Sequence, residues 1–207
     1  MTASRAGIAV YGGAFNPPHR THRRVCEAAL AQLPVERMLI LPAGDHPWKR
    51  DGQLAEGAHR VAMCRLAFDG LAGALIDERE VRRGGVSFTV DTLQELSDEN
   101  PGRPLWFVIG ADNLRQLPLW RDHHRILRLA RVATFPRVGW SVDEAALDGL
   151  DLTAAERASL LAGALRLAPD TVAASDVRAR LARGERGIAE LDPRVEAYAV
   201  QHELYRA

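Results

Sequence analysis

The sequence predicts an α/β fold, a mostly parallel sheet with helices on both faces, and three observations predict it. Short apolar runs alternate with helix-length amphipathic segments along the 207 residues, as in chains of βαβ units. Glycine-rich or polar turns follow the first, second and fourth of those runs. No repeat and no low-complexity linker interrupts the alternation.

In chain order, the first apolar run predicts a strand over Gly7–Tyr11, and the pattern from His22 to Leu33 predicts the first helix. A second strand is expected at Arg37–Leu41. The polar stretch from Gly44 to Gly57 then reads as a loop long enough to act as a lid. Helix Glu56–Leu71, strand Ala74–Ile76 and helix Thr89–Asp98 follow. Next come strand Leu105–Ile109, helices Ala111–Leu117 and Arg121–Ala130, and strands Arg131–Phe135 and Leu165–Leu167. Thr153-Ala154-Ala155-Glu156 has the capping-box spacing and opens a helix through Ala162. Ser175 is placed to cap Asp176–Ala182, and Asp192-Pro193 to open a last helix through Glu203.

Open parallel sheets bind ligands outside the carboxyl ends of their strands. The turn after strand one, the lid after strand two and Gly110-Ala111-Asp112 after strand four all fall there. The expected architecture is therefore a single Rossmann-like domain over residues 1–207, with a C-terminal helical segment from about residue 171 packed on it.

Composition limits the partners. The formal net charge is zero, so no broad basic field invites nucleic acid or an anionic membrane, and any phosphate attraction must be local. Cys26 and Cys64 sit in apolar helical patterns without metal-ligand spacing and read as reduced, buried thiols. No signal peptide and no span of transmembrane length is visible, and a cytoplasmic protein is expected. A homo-oligomer is left open.

The segment Gly12-Gly13-Ala14-Phe15-Asn16-Pro17-Pro18-His19-Arg20-Thr21-His22 carries the chemistry. Strand, glycine turn and helix in that order put a helix N-terminus at the carboxyl edge of the sheet. Unpaired N–H groups and the helix dipole attract phosphate there. His19 and His22, three apart, share one side of the first turn. Read plainly, the glycines mark a tight turn, the prolines start a helix and the histidines face solvent. The run is not a dinucleotide fingerprint, because no G-x-G-x-x-G fits it.

The full run resembles the nucleotidylyltransferase signature G-G-[ST]-F-[DN]-P-x-H-x-G-H, with Gly12, Gly13, Phe15, Asn16, Pro17, His19 and His22 in place. Asp77-Glu78-Arg79-Glu80 with Gly85 to Leu93, Gly110-Ala111-Asp112 with Leu117-Pro118-Leu119-Trp120, and the ending Val195 to Tyr205 extend the likeness over nearly the whole chain. By these residues the chain is similar to the bacterial nicotinate-nucleotide adenylyltransferases.

The resemblance implies adenylyl transfer from ATP to nicotinate mononucleotide, with Mg²⁺ held mainly by substrate phosphates. It implies that His19, His22, Lys49 and Arg178 act on the phosphates. Gly12, Gly13, Ala14, Phe15, Thr21, Gly110, Asp112 and Ser175 would line the ATP side, with Asp112 accepting from ribose hydroxyls. Asn16, Ser87, Thr89, Trp120 and Arg137 would meet the mononucleotide. Each has a plain alternative. Lys49 also fits a solvated loop charge, Ser175 and Asp112 fit helix caps, and Trp120 fits core packing. His123-His124 receives no role.

The chain departs from the family pattern at three places. Thr21 replaces the glycine of H-x-G-H, where a bare backbone lets adenine lie close. Trp48 stands for a histidine before Lys49, with His46 two positions earlier and Arg50 one later. Ala173 replaces a hydroxyl residue in Val172-Ala173-Ala174-Ser175-Asp176-Val177-Arg178. These changes raise two alternatives: a related transferase with another nucleotide or acceptor, and a weakened nucleotide-binding sensor.

Overall fold

The computed structural model describes residues 6–44 and 54–206. Five strands form one sheet in the order β3-β2-β1-β4-β5. They are β1 (Gly7–Gly13), β2 (Val35–Pro42), β3 (Ala74–Ile76), β4 (Leu105–Gly110) and β5 (Ala130–Phe135). β1 pairs parallel with β4, Ile8 beside Leu105, and β4 pairs parallel with β5, Leu105 beside Ala130. β1 and β4 are apolar along nearly their whole length because both faces of such a sheet are covered.

Contacts divide the described residues into two compact units. One comprises residues 6–11, Ala28–Leu39 and Phe88–Thr171; the other comprises residues 12–27, 40–44, 54–87 and 172–206. In the first, Ile8, Val108, Val132 and Ala133 are buried on the strands, and Leu93 and Leu96 are buried on α4 (Thr89–Glu99). Gly7 admits close main-chain packing, since a Cβ there would lie 2.7 Å from the Pro104 carbonyl oxygen. α5 (His123–Leu129) and α7 (Ala154–Ala162) both pack on β5. In the second unit, α2 (Gly57–Ala67) packs on α9 (Pro193–Gln201), which belongs to the expected C-terminal helical segment.

Several expectations need correction. Leu165–Leu167 is not a strand; only a parallel bridge from Ala164 to Thr134 forms. The next rung would need an N–H from residue 136 to the Leu165 carbonyl, and Pro136 has none. The Arg166 N–H and carbonyl are instead paired with the Gln32 side chain, at 2.8 and 2.9 Å. Residues 111–119 form a 3₁₀ rather than an α-helix, with Pro118 inside it, a residue that supplies no N–H to an i−4 carbonyl. The helix after it begins at His123, because Asp122 adopts a left-handed conformation (φ 50°, ψ 52°).

Ser175 does not cap. α8 spans Ala174–Ala182 with Ala173 as its N-cap, and the Ser175 hydroxyl turns to Asp176 Oδ1 at 3.4 Å. α1 (Arg20–Gln32) starts two residues earlier than the pattern indicated. α3 (Arg79–Arg83) and α6 (Glu144–Leu147) are short helices that the pattern did not show. The Thr153–Glu156 capping box and the Asp192 cap are both present.

Candidate active site

The signature segment lies in the second unit and is fixed from several sides. Phe15 holds φ at 46°, a left-handed conformation that is strained for a bulky residue and costs on the order of 1–3 kcal/mol. Burial offsets that strain: Phe15 is 1% exposed and meets the rings of His22 and Phe68 edge-on at 4.9 and 6.0 Å. A Cβ on Gly13 would press on the same phenyl ring at 3.3 Å.

His19 and His22 come together as the spacing predicts, their rings 3.8 Å apart and tilted by 37°. The main-chain N–H of His19 donates to His22 Nδ1 at 3.0 Å. A nitrogen that accepts carries no proton, so the neutral His22 ring bears its proton on Nε2, a hydrogen-bond donor. The expectation of a bare helix end is corrected. The Arg20 N–H donates to the Glu190 carbonyl at 2.8 Å, and the His22 N–H to the His19 carbonyl at 2.9 Å.

Arg178, on α8, reaches this segment, its Nη1 donating to the Asn16 carbonyl at 3.0 Å. The Asn16 side chain is 6% exposed, and its Oδ1 accepts from the Ala55 N–H at 3.0 Å and the Tyr205 hydroxyl at 2.8 Å. Ser87 Oγ accepts from Arg83 Nη1 at 2.9 Å. Lys49, with His46, Trp48 and Arg50, lies outside the described residues.

The first unit holds Thr89, Gly110, Asp112, Trp120 and Arg137. Thr89 is the first residue of α4. Gly110 ends β4, and a Cβ there would meet Asp112 Oδ1 at 2.2 Å and displace that carboxylate. The Asp112 carboxylate thus folds back over the strand end, 3.6 Å from Arg137 Nε. Sequence reasoning had placed those two on different substrates; here they form one ion pair. Trp120 is half-buried and meets Phe107 edge-on at 5.8 Å.

Similarity to known proteins extends over the whole chain. The cytidylyltransferase-like family matches residues 10–179. A protein of Rhodopirellula baltica named "probable nicotinate-nucleotide adenylyltransferase" is 38% identical over 87% of this chain and 85% of its own length. The chain belongs to the nicotinate-nucleotide adenylyltransferase family. A protein of the same name from Chromobacterium violaceum is 36% identical over 97% of this chain and 99% of its own. Among solved structures, the nicotinic acid mononucleotide adenylyltransferase of Plasmodium falciparum, complexed with APC, has the same fold. The TM-score is 0.76 with 97% of both chains covered at 16% identity. The same protein complexed with NaAD matches equally well.

Thr21 stands where this nicotinate-nucleotide adenylyltransferase family pattern has glycine. Thr21 is 5% exposed, so its branch is packed inside the protein. Two residues that sequence reasoning missed support the signature. Arg60 is fully buried, its Nε donating to the Ala55 carbonyl at 2.9 Å and its Nη1 to the Ala14 carbonyl at 3.1 Å. Tyr205 is the donor to Asn16, and burial pushes its phenol up, which keeps the proton in place. An arginine beside the apolar run Val61-Ala62-Met63-Cys64 was the visible signal for Arg60, and Tyr205 closes the matched C-terminal stretch.

Neither described cavity gathers the expected residues. One of about 340 Å³ is lined by His19, Arg20, Arg23 and Arg194. Two of its cations are already engaged: Arg23 with the Ala67 and Asp69 carbonyls, Arg194 with Asp69 and Asp192. A larger one of about 690 Å³, between Arg186 and Gln201, contains no predicted site residue.

Proposed function

We propose that the protein transfers the adenylyl group of ATP to nicotinate mononucleotide, forming deamido-NAD and pyrophosphate. A phosphate oxygen of the mononucleotide attacks the α-phosphorus in line. The new P–O bond forms as the bond to the oxygen bridging the α- and β-phosphates breaks, and the electron pair departs on pyrophosphate. Such a displacement asks the protein for position and charge rather than covalent bonding.

The observation that carries this reading is the His19–His22 pair, in which the His19 N–H fixes the proton of neutral His22 on Nε2. A fixed donor of that kind suits the negative charge that grows on a leaving phosphate oxygen. Arg178 and, by sequence, Lys49 add cations to the phosphate side. Asp112 is assigned to ribose hydroxyls, while Ser87, Thr89, Trp120 and Arg137 are assigned to the mononucleotide. Cys26 and Cys64 are buried, and burial pushes both thiols well above their usual range. Neither is a nucleophile, which supports direct transfer.

Magnesium accompanies the proposal as a substrate-bound ion. Asp69 and Asp192, which share a cavity with His19, are both ion-paired to Arg194. They offer no vacant carboxylate, so the cation's ligands are assigned to phosphate and water. When bound, it supplies neutralisation of phosphate charge. Among the described residues no helix is long and apolar enough to cross a membrane, and we place the reaction in the cytoplasm.

Pyrophosphate release with ATP and Mg²⁺ tests the reading, comparing nicotinate mononucleotide, nicotinamide mononucleotide and no acceptor. Release that requires the nicotinate form establishes the reaction. Silence from folded protein with all three, or an adenylylated protein isolated after ATP alone, overturns it.

A further inference from the structure

We propose that His123, His124 and Asp151 form a binding site for a divalent transition-metal ion of the zinc class, separate from the residues assigned to adenylyl transfer. The site lies within the first unit and is built by two elements. His123 and His124 are the first residues of α5, and the left-handed Asp122 before them sets their direction. Their rings lie 4.0 Å apart and tilted by 37°. Asp151 stands two residues before Thr153, the N-cap of α7.

Asp151 Oδ2 is 3.8 Å from His123 Nε2 and 3.6 Å from His124 Nε2. One ligand atom from each of the three residues lies within 4.8 Å of the others. Both nitrogen–oxygen separations are too long for hydrogen bonds. They come within about half an ångström of the roughly 3.3 Å between ligand atoms of a tetrahedral zinc with bonds near 2.0–2.1 Å.

A second observation concerns orientation. His124 Nδ1 bonds Glu156 Oε1 at 2.9 Å, and the other Glu156 oxygen is held by the Thr153 N–H at 2.7 Å and the Thr153 hydroxyl at 2.9 Å. That arrangement is a carboxylate–histidine pair with the carboxylate itself anchored, as behind metal-bound imidazoles. With its Nδ1 side held by Glu156, His124 presents Nε2 to Asp151 Oδ2, where a bound ion would take the place of a ring proton.

His123 Nε2 lies 3.0 Å from the Asp151 main-chain oxygen. Binding exchanges that contact for the metal and moves the ring proton to Nδ1, and a proton leaves for solvent if either ring was charged. The Asp151 side chain is 78% exposed, so an ion enters from solvent and water completes its coordination. Two imidazoles and one carboxylate select zinc, cobalt or nickel over magnesium. The bound ion would tie the start of α5 to the approach of α7, two helices that pack on β5.

The test uses the full chain, stripped with chelator, then titrated calorimetrically with Zn²⁺ and optically with Co²⁺. The expected result is one ion per chain with the visible bands of tetrahedral cobalt. Asp151→Ala changes an exposed side chain and should weaken binding at least tenfold while leaving adenylyl transfer unchanged. Glu156→Gln keeps the capping box and should weaken binding by about 10–100-fold. Absence of binding to the native chain, or binding that Asp151→Ala and His124→Ala both leave unchanged, overturns the proposal.

Discussion

The main-chain N–H of His19 dictates which nitrogen of the neutral His22 ring keeps its proton, and the proposed transfer relies on that proton. Two roles are thereby combined in His22, accepting at Nδ1 and donating at Nε2, and substitutions separate them. His22→Ala should lower kcat by about 10²–10³-fold with little change in the KM for nicotinate mononucleotide. Asparagine keeps an acceptor near Nδ1 but has no donor at the Nε2 position, so His22→Asn should recover melting temperature without recovering turnover. Equal turnover of His22→Asn and wild type would remove His22 from catalysis. Arg60 acts differently. Its guanidinium joins the Ala14 and Ala55 carbonyls from a fully buried position. Arg60→Met should leave both short of a donor and cost about 3 kcal/mol, seen as a drop in melting temperature of roughly 6–12 °C. The His19–His22 pair was legible in the sequence because three-residue spacing at a helix start fixes a shared face. The partners of Arg60 and Tyr205 were not, since they lie up to 189 residues away and are main-chain or amide oxygens that leave no pattern.

At the level of elements, side-chain caps were readable before long helical patterns and unreadable before the four-residue α6, whose Asp143 cap has no periodic run behind it. Thr153 and Asp192 both accept from the first turn of their helices. Ser175 has the right chemistry but lies one residue inside a helix that begins without a side-chain cap. The same slip moved the start of α1 to Arg20, which makes Thr21 a helical residue with a buried side chain. The Asp192 cap also predicts a pH dependence. The hydrogen bond from Arg194 is the main cause that holds its carboxyl below the usual range, with the Arg194 N–H and charge assisting against burial. A lowered folded value means the bound proton favours the unfolded chain. Its contribution is therefore present above the unfolded value, near 3.9, and is lost as pH falls through the lower folded one. Asp192→Asn should cost about 1 kcal/mol near neutrality in urea unfolding, and the gap to wild type should close toward pH 2–3. A gap of constant size across that window would contradict the linkage.

For the molecule as a whole, the parallel sheet was legible because buried strands are short apolar runs and the segments between them carry helical periodicity. The boundary near residue 171 was anticipated, but the division as a whole was not, since three of its five boundaries fall inside β1, α1 and β2, where no composition shift marks them. Global opening can be read through the cysteines. Cys26 and Cys64 are fully buried, and desolvation raises both thiols far above the range in which thiolate forms near neutral pH. A disulfide reagent should therefore find no reactive thiol in the native protein and two per chain in denaturant. In native buffer the slow labelling should follow the population of the opened state. Arg60 shares α2 with Cys64, so Arg60→Met supplies the control. Its loss of about 3 kcal/mol should speed labelling by roughly a hundredfold if exposure requires the cooperative unfolding of this unit. Labelling that is fast in the wild type, or unmoved by Arg60→Met, would mean that the thiols are reached by local openings that leave the signature segment in place.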